Sequence, residues 1–136
     1  MADIKKKNWI MILLPLFLGT MIYVLFRPPL SWFPDFFGWE KAVVSLSWIP
    51  APISTFILYH LSDVLWAISF AEMIYTIKRK LYLAFIIVIA VTVLLNLAQH
   101  FRIAKGTADI LDVIYIVVSL SIYFIIRKRI KKHEKT

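Results

Sequence analysis

Four apolar runs, at residues 9–26, 53–77, 81–100 and 110–126, constrain this chain more than any other feature. Each is close to the roughly 20 residues that a helix needs to cross the hydrocarbon core of a bilayer. A chain of 136 residues that is 61% hydrophobic, with mean hydropathy +0.79, carries more apolar surface than a water-soluble core of this size can hide. Lipid is the expected solvent. The expected fold is all-α: a polytopic transmembrane four-helix bundle, built as a single integral membrane domain over residues 1–136.

Charge sets the expected orientation. The net charge of +8 does not point to nucleic acid, because the basic residues sit in short blocks beside the apolar runs. With the N-terminus inside, Lys5, Lys6, Lys7, Lys78, Arg79, Lys80, Arg127, Lys128, Arg129, Lys131, Lys132 and Lys135 fall on the inner side. Only Arg27, Lys41, Arg102 and Lys105 fall outside. The positive-inside rule then places both termini in the cytoplasm of a multi-pass inner (plasma) membrane protein. The basic tail after residue 126 is read as a topology signal and an anchor for anionic headgroups. With no Cys, disulfides, thiolate nucleophiles and Cys metal sites are excluded.

The segments between the runs differ in character. A signal peptide is the competing reading of the first run, but Phe26-Arg27-Pro28-Pro29 lacks a small-residue cleavage site, so an uncleaved span is expected. Pro15 and Gly19 are its candidate kink points, and Pro28 and Pro29 stop it. Residues 30–52 carry Trp32, Phe33, Phe36, Phe37, Trp39 and Trp48, interspersed with Pro34, Asp35, Glu40 and Lys41. Aromatics with scattered charges belong at headgroup level, which predicts an interfacial amphipathic segment with a short helix near 38–48. It serves as an anchoring loop or, in a sharper reading, as a lid. The glycines form no GxxxG pair.

Most polar residues of intramembrane grade lie between Asn96 and Asp112 or opposite that stretch. The third span exits through Asn96, Gln99, His100 and Arg102, the fourth re-enters through Asp109 and Asp112, and the second carries His60 and Asp63 in its outer half. His60 and Asp63 are i, i+3, and Asn96, Gln99 and His100 are i, i+3, i+4, so each set shares a helix face. Asp109, Asp112, Tyr115, Ser119 and Tyr123 form a polar stripe. The expectation is one outer pocket, with His60, Asp63, His100 and Asp112 as acid–base candidates and Asn96, Gln99, Arg102, Lys105 and Asp109 as ligand-binding candidates. Asp63 is expected to lie deepest, because a mid-helix carboxylate costs on the order of 3 kcal/mol to insert and needs a partner. Glu72, about half a turn round from Asp63, is expected to snorkel to the inner interface or to face a partner subunit. Thr107 is expected to cap the fourth span, with Asp109 at its positive end.

The competing reading of the same residues is helix-to-helix hydrogen bonding with no ligand. A metal site from His60, Asp63, His100 and Asp112 is the less favoured option, because its spacing is no recognised ligand motif, so no metal is assigned and the cofactor is left unknown.

At these residues the chain resembles the VanZ-like family of small four-span bacterial membrane proteins. The resemblance covers roughly residues 61–123 and rests on Asn96-Leu97-Ala98-Gln99, Gly106-Thr107-Ala108-Asp109-Ile110-Leu111-Asp112 and Ser62-Asp63-Val64-Leu65-Trp66. Asn96 stands where the family has Glu, and aliphatic residues and Ser119 replace the Asn and Gly that follow the family's last Asp. The resemblance implies a bacterial cell-envelope protein. It implies no reaction. The leading expectation is a protein that binds or modifies a lipid-linked or headgroup ligand at the outer face. The alternatives are a small proton-coupled transporter using Asp63, acting as a homo-oligomer, and a structural membrane helper with a polar core. Whether the chain is an enzyme stays open at this point.

Overall fold

The computed structural model describes residues 2–26, 48–103 and 109–133, with side chains from 8 to 25 in the first of these. Among the described residues the protein is all helical: α1 (Ala2–Phe26), α2 (Ala51–Tyr59), α3 (Leu61–Lys78), α4 (Leu81–His100) and α5 (Ile110–His133). Three helices, α1, α4 and α5, are long and apolar enough to cross a membrane, and the count rises to four if α2 and α3 form one bent span. The predicted interfacial segment, residues 30–52, lies outside the described residues up to residue 47; beyond that, Trp48 sits exposed in a turn and Ala51 and Pro52 already belong to α2.

Helix ends follow local chemistry. Pro52 sits in the first turn of α2, where a missing N–H breaks no helical bond, and the Pro50 carbonyl accepts from Ile53 and Ser54 N–H. Arg79 ends α3 in the left-handed conformation (φ 57°), its N–H donating to the Tyr75 carbonyl. Arg79 and Lys80 alone connect α3 to α4. The end of α4 is a Schellman motif: Ile103 N–H donates to Ala98 O at 2.8 Å and Arg102 N–H to Gln99 O at 3.0 Å. Arg102 supplies its left-handed residue, with φ 58°.

Helix α3 is central and packs against all four others. One face carries Val64, Ala67, Ala71, Ile74 and Tyr75, buried with Ala84 and Val88 of α4 and Ile116 and Leu120 of α5. Small residues at Ala67, Ala71 and Ala84 permit close approach, as in helix pairs that associate in lipid. The other face meets α1. There Ser69 Oγ donates to Ile12 O at 2.6 Å, and Gly19 packs so tightly that a Cβ would come within 2.8 Å of Trp66 Cδ1 and 3.1 Å of Ser62 O. Gly19 is thus a packing position, achieved without a GxxxG pair.

Two expectations are corrected. The run at 53–77 is not one straight helix: it breaks at His60 (φ −119°), with 48° between α2 and α3. Neither Pro nor Gly lies nearby in sequence; the break coincides with the contacts that hold the His60 ring. The last helix does not stop at residue 126 but continues to His133, so its basic residues are helical. Helix α1 packs along α3 and reaches α5 through a side-chain contact, Arg127 Nη2 with Asn8 Oδ1 at 3.3 Å.

Candidate functional site

Two polar clusters stand out among the described residues, one at the N-terminal end of α3 and one in its C-terminal half. The first is built on the helix break. His60 caps the C-terminus of α2 and the N-terminus of α3 and is only 5% exposed. Its ring is held between elements: Tyr115 of α5 lies 4.7 Å away centroid to centroid, and Phe56 of α2 packs on Tyr115 at 4.9 Å. Its Nδ1–H donates to Asp112 Oδ1 at 2.5 Å, forming an ion pair when the ring is protonated. Asp109 completes the group: His60, Asp109 and Asp112 each present one ligand-type atom, all within 4.8 Å of one another.

Backbone chemistry fixes the two carboxylates. Asp109 starts α5, accepting the Leu111 N–H on Oδ1 at 2.9 Å and the Asp112 N–H on its carbonyl at 3.1 Å. A carboxylate at a helix N-terminus is favoured by the unpaired N–H groups and the macrodipole. Asn96 of α4 donates from Nδ2 to the Asp109 carbonyl at 2.9 Å, tying the end of α4 to the start of α5. Thr107, predicted as the cap, lies outside the described residues.

The carboxylate at Nδ1 fixes the ring orientation of His60. With Nδ1 donating, the neutral ring leaves the Nε2 lone pair as a base position, whereas an ion shared with Asp112 would be held on Nδ1 after its proton has left. With two carboxylates beside one imidazole, the cluster is acidic overall. It suits a cation, an amine or hydroxyl donors.

Of the predicted site residues, His60, Asn96, Asp109 and Asp112 meet. Asp63 is half-buried and is not part of the three-residue group. Gln99 is half-buried, with its carbonyl engaged in the α4 cap. His100 is exposed, its ring against Phe101 at 5.4 Å, and Arg102 is exposed in its capping conformation. Lys105 lies outside the described residues.

The second cluster is one that periodicity left in pieces. Glu72, expected at the interface or against a partner subunit, is instead fully buried at 0% exposure. Its Oε1 accepts from Arg127 Nη2 at 2.6 Å, and its Oε2 accepts from the Tyr123 hydroxyl. Arg127 also reaches Asn8 Oδ1 of α1 at 3.3 Å and lies 5.1 Å above the Tyr75 ring. Arg127 Nε and Thr76 Oγ1 are buried and have no hydrogen-bond partner among the described residues. Three helices are joined here by one charge pair. Reading Arg127 as the start of a basic tail concealed it. Its signal was present, since Arg127 is i+4 from Tyr123 and extends the stripe Asp112, Tyr115, Ser119, Tyr123.

No family model, curated protein or solved structure matches the chain.

Proposed function

We propose that this is a VanZ-like, four-span protein of the bacterial plasma membrane, with both termini cytoplasmic and α2–α3 acting as one broken span. We further propose that the His60–Asp109–Asp112 cluster binds, and in the sharper form modifies, a lipid-linked or headgroup ligand at the outer face. One observation carries the reading: His60 Nδ1 and Asp112 Oδ1, 52 positions apart in the chain, stand 2.5 Å from each other, with the imidazole buried, Asp112 half-buried and Asp109 beside them. Ionisable residues inside membrane helices are costly, and they concentrate at sites where ligands or ions act. The helix break supports the same reading, because interrupted helices in membrane proteins occur where backbone is protein-buried or lines a cavity. The segment between the first two spans is proposed as an interfacial anchor, and the basic residues of α5 as contacts for anionic headgroups.

Native mass spectrometry of the detergent-purified protein, offered phosphatidylethanolamine and a polyprenyl phosphate as probes, tests this. The wild type should retain one of them and Asp112→Asn should lose it. Equal retention by both proteins, or by neither, removes the site.

A second reading, a proton-coupled oligomeric transporter, draws on the stripe from Asp112 through Ser119 to Arg127, which links the two polar clusters along α5. Reconstituted vesicles should then show proton flux that depends on Asp63.

A further inference from the structure

We infer that His60, Asp109 and Asp112 form a divalent transition-metal site, an inference that rests on reading this cluster as a ligand site. Three residues from two helices bring one imidazole nitrogen and two carboxylate oxygens within 4.8 Å of one another, a span that a single ion can bridge. Among the described residues, His60 is the positive-capable group paired with these carboxylates, through Asp112, and no Lys or Arg ion pair to Asp109 or Asp112 is present among them. Such a pair of carboxylates inside a helical membrane protein is balanced by a cation more fully than by one proton on His60.

The donors decide the kind of ion. Mg²⁺ and Ca²⁺ favour oxygen-only sets, whereas an imidazole with carboxylates suits Mn²⁺, Fe²⁺ or Zn²⁺. Donor positions are fixed by neighbours that are not themselves donors. Tyr115 packs on the His60 ring, Leu111 N–H holds Asp109 Oδ1, and Asn96 holds the Asp109 carbonyl. Outer contacts of this type keep ligands oriented in metal proteins. Three protein ligands are the number found in catalytic rather than closed structural sites, because coordination positions remain open for water or substrate. An ion here would turn an acidic cluster, which repels phosphate, into one that accepts it. The substrate class that follows is a lipid carrying a phosphate or pyrophosphate headgroup.

The test uses the full-length protein in detergent, stripped with EDTA and titrated with Mn²⁺ alone, with bound ion read by electron paramagnetic resonance. The expected result is saturable binding of one Mn²⁺ per chain, displaced by Zn²⁺, with a rise in unfolding temperature. His60→Ala and the near-isosteric Asp112→Asn should each weaken binding by more than the roughly 10–100-fold that loss of an outer contact costs. The exposed His100→Ala should bind as the wild type does. Absence of saturable Mn²⁺ and Zn²⁺ binding by the wild type overturns the metal whatever the variants do, as does unchanged binding by a folded Asp112→Asn. Lipid retention measured on the EDTA-stripped protein separates the two ideas. Phosphatidylethanolamine held by a protein that binds neither Mn²⁺ nor Zn²⁺ keeps the ligand site and discards the ion. Polyprenyl phosphate held only after Mn²⁺ loading supports both.

Discussion

Arg127 Nη2 donates to Glu72 Oε1 at 2.6 Å, joining residues 55 positions apart, and both side chains are withdrawn from solvent. Desolvating two charges is costly, and only close pairing with further hydrogen bonds offsets it. Tyr123, Asn8 and the Tyr75 ring supply those further contacts. Removing one partner leaves the other buried and unpaired, at a cost of about 3–5 kcal/mol in comparable pairs. Glu72→Ala and Arg127→Ala should therefore each lower the unfolding temperature in detergent sharply. The double variant Glu72→Leu, Arg127→Met, which removes both charges and restores volume, should recover much of the loss. If the double variant is as unstable as the sum of the singles, the pair is not coupled.

Gly19 yields an independent prediction on the other face of α3. A methyl there would stand 2.8 Å from Trp66 Cδ1 and 3.1 Å from the Ser62 carbonyl, and backbone yields less readily than a side chain. Gly19→Ala should destabilise the α1–α3 pair by about 1–3 kcal/mol, the usual cost of overpacking. Trimming the indole in Gly19→Ala, Trp66→Leu should restore part of the loss, and the remainder measures the carbonyl contact. Thermal unfolding followed by tryptophan fluorescence of the remaining indoles reads both.

How much of this was legible in the sequence differs from element to element. The bounds of α4 match the predicted run, because an aliphatic stretch opening after Lys80 and closing on polar residues leaves little choice. The meeting of His60, Asp109 and Asp112 was also readable, since the expected up-and-down order of the apolar runs brings those positions to one end. The break at His60 was not: apolar residues flank it, no Pro or Gly marks it, and only tertiary contacts with Asp112 and Tyr115 single it out. Phase placed Glu72 away from Asp63, but a helix wheel carries no information about what waits 55 positions later. Arg102 shows the reverse case. Its charge drew attention in sequence, while its backbone performs the structural task.

That division of roles in Arg102 can be tested directly. A left-handed non-glycine residue costs on the order of 1–2 kcal/mol, which glycine avoids. Arg102→Gly should leave stability equal or raised, whereas Arg102→Val, branched at Cβ, should lower it. If the guanidinium also serves the ligand, Arg102→Gly will lose lipid retention while unfolding at or above the wild-type temperature.

The proposed topology makes a separate prediction. Cysteines placed at Lys6, Arg79 and Lys131 should resist an impermeant thiol reagent in intact cells, and one at Lys105 should react. The chain has no Cys of its own, so the background is clean. Labelling at Arg79 would contradict a hairpin between α3 and α4 on the cytoplasmic side and would end the four-span proposal.

Asp63 and Asp112 separate the two functional readings most sharply. Both are carboxylates near the His60 end of the structure, and both are half-buried. Asp112 contacts the His60 imidazole and belongs to the three-residue group, whereas Asp63 stands one turn into α3 and is not part of that group. A ligand site centred on His60 predicts that Asp112→Asn abolishes lipid retention and that Asp63→Asn leaves it within a few-fold of wild type. The amide keeps size and one hydrogen-bonding oxygen, so both variants should fold, and matching unfolding temperatures verify that. A transporter coupled through Asp63 predicts the opposite order: proton flux in vesicles lost in Asp63→Asn and only reduced in Asp112→Asn, where the stripe along α5 is otherwise intact. Should neither substitution change retention or flux while Asp63→Ala and Asp112→Ala lower the unfolding temperature, these carboxylates act as helix-to-helix hydrogen-bond acceptors and the structural reading holds.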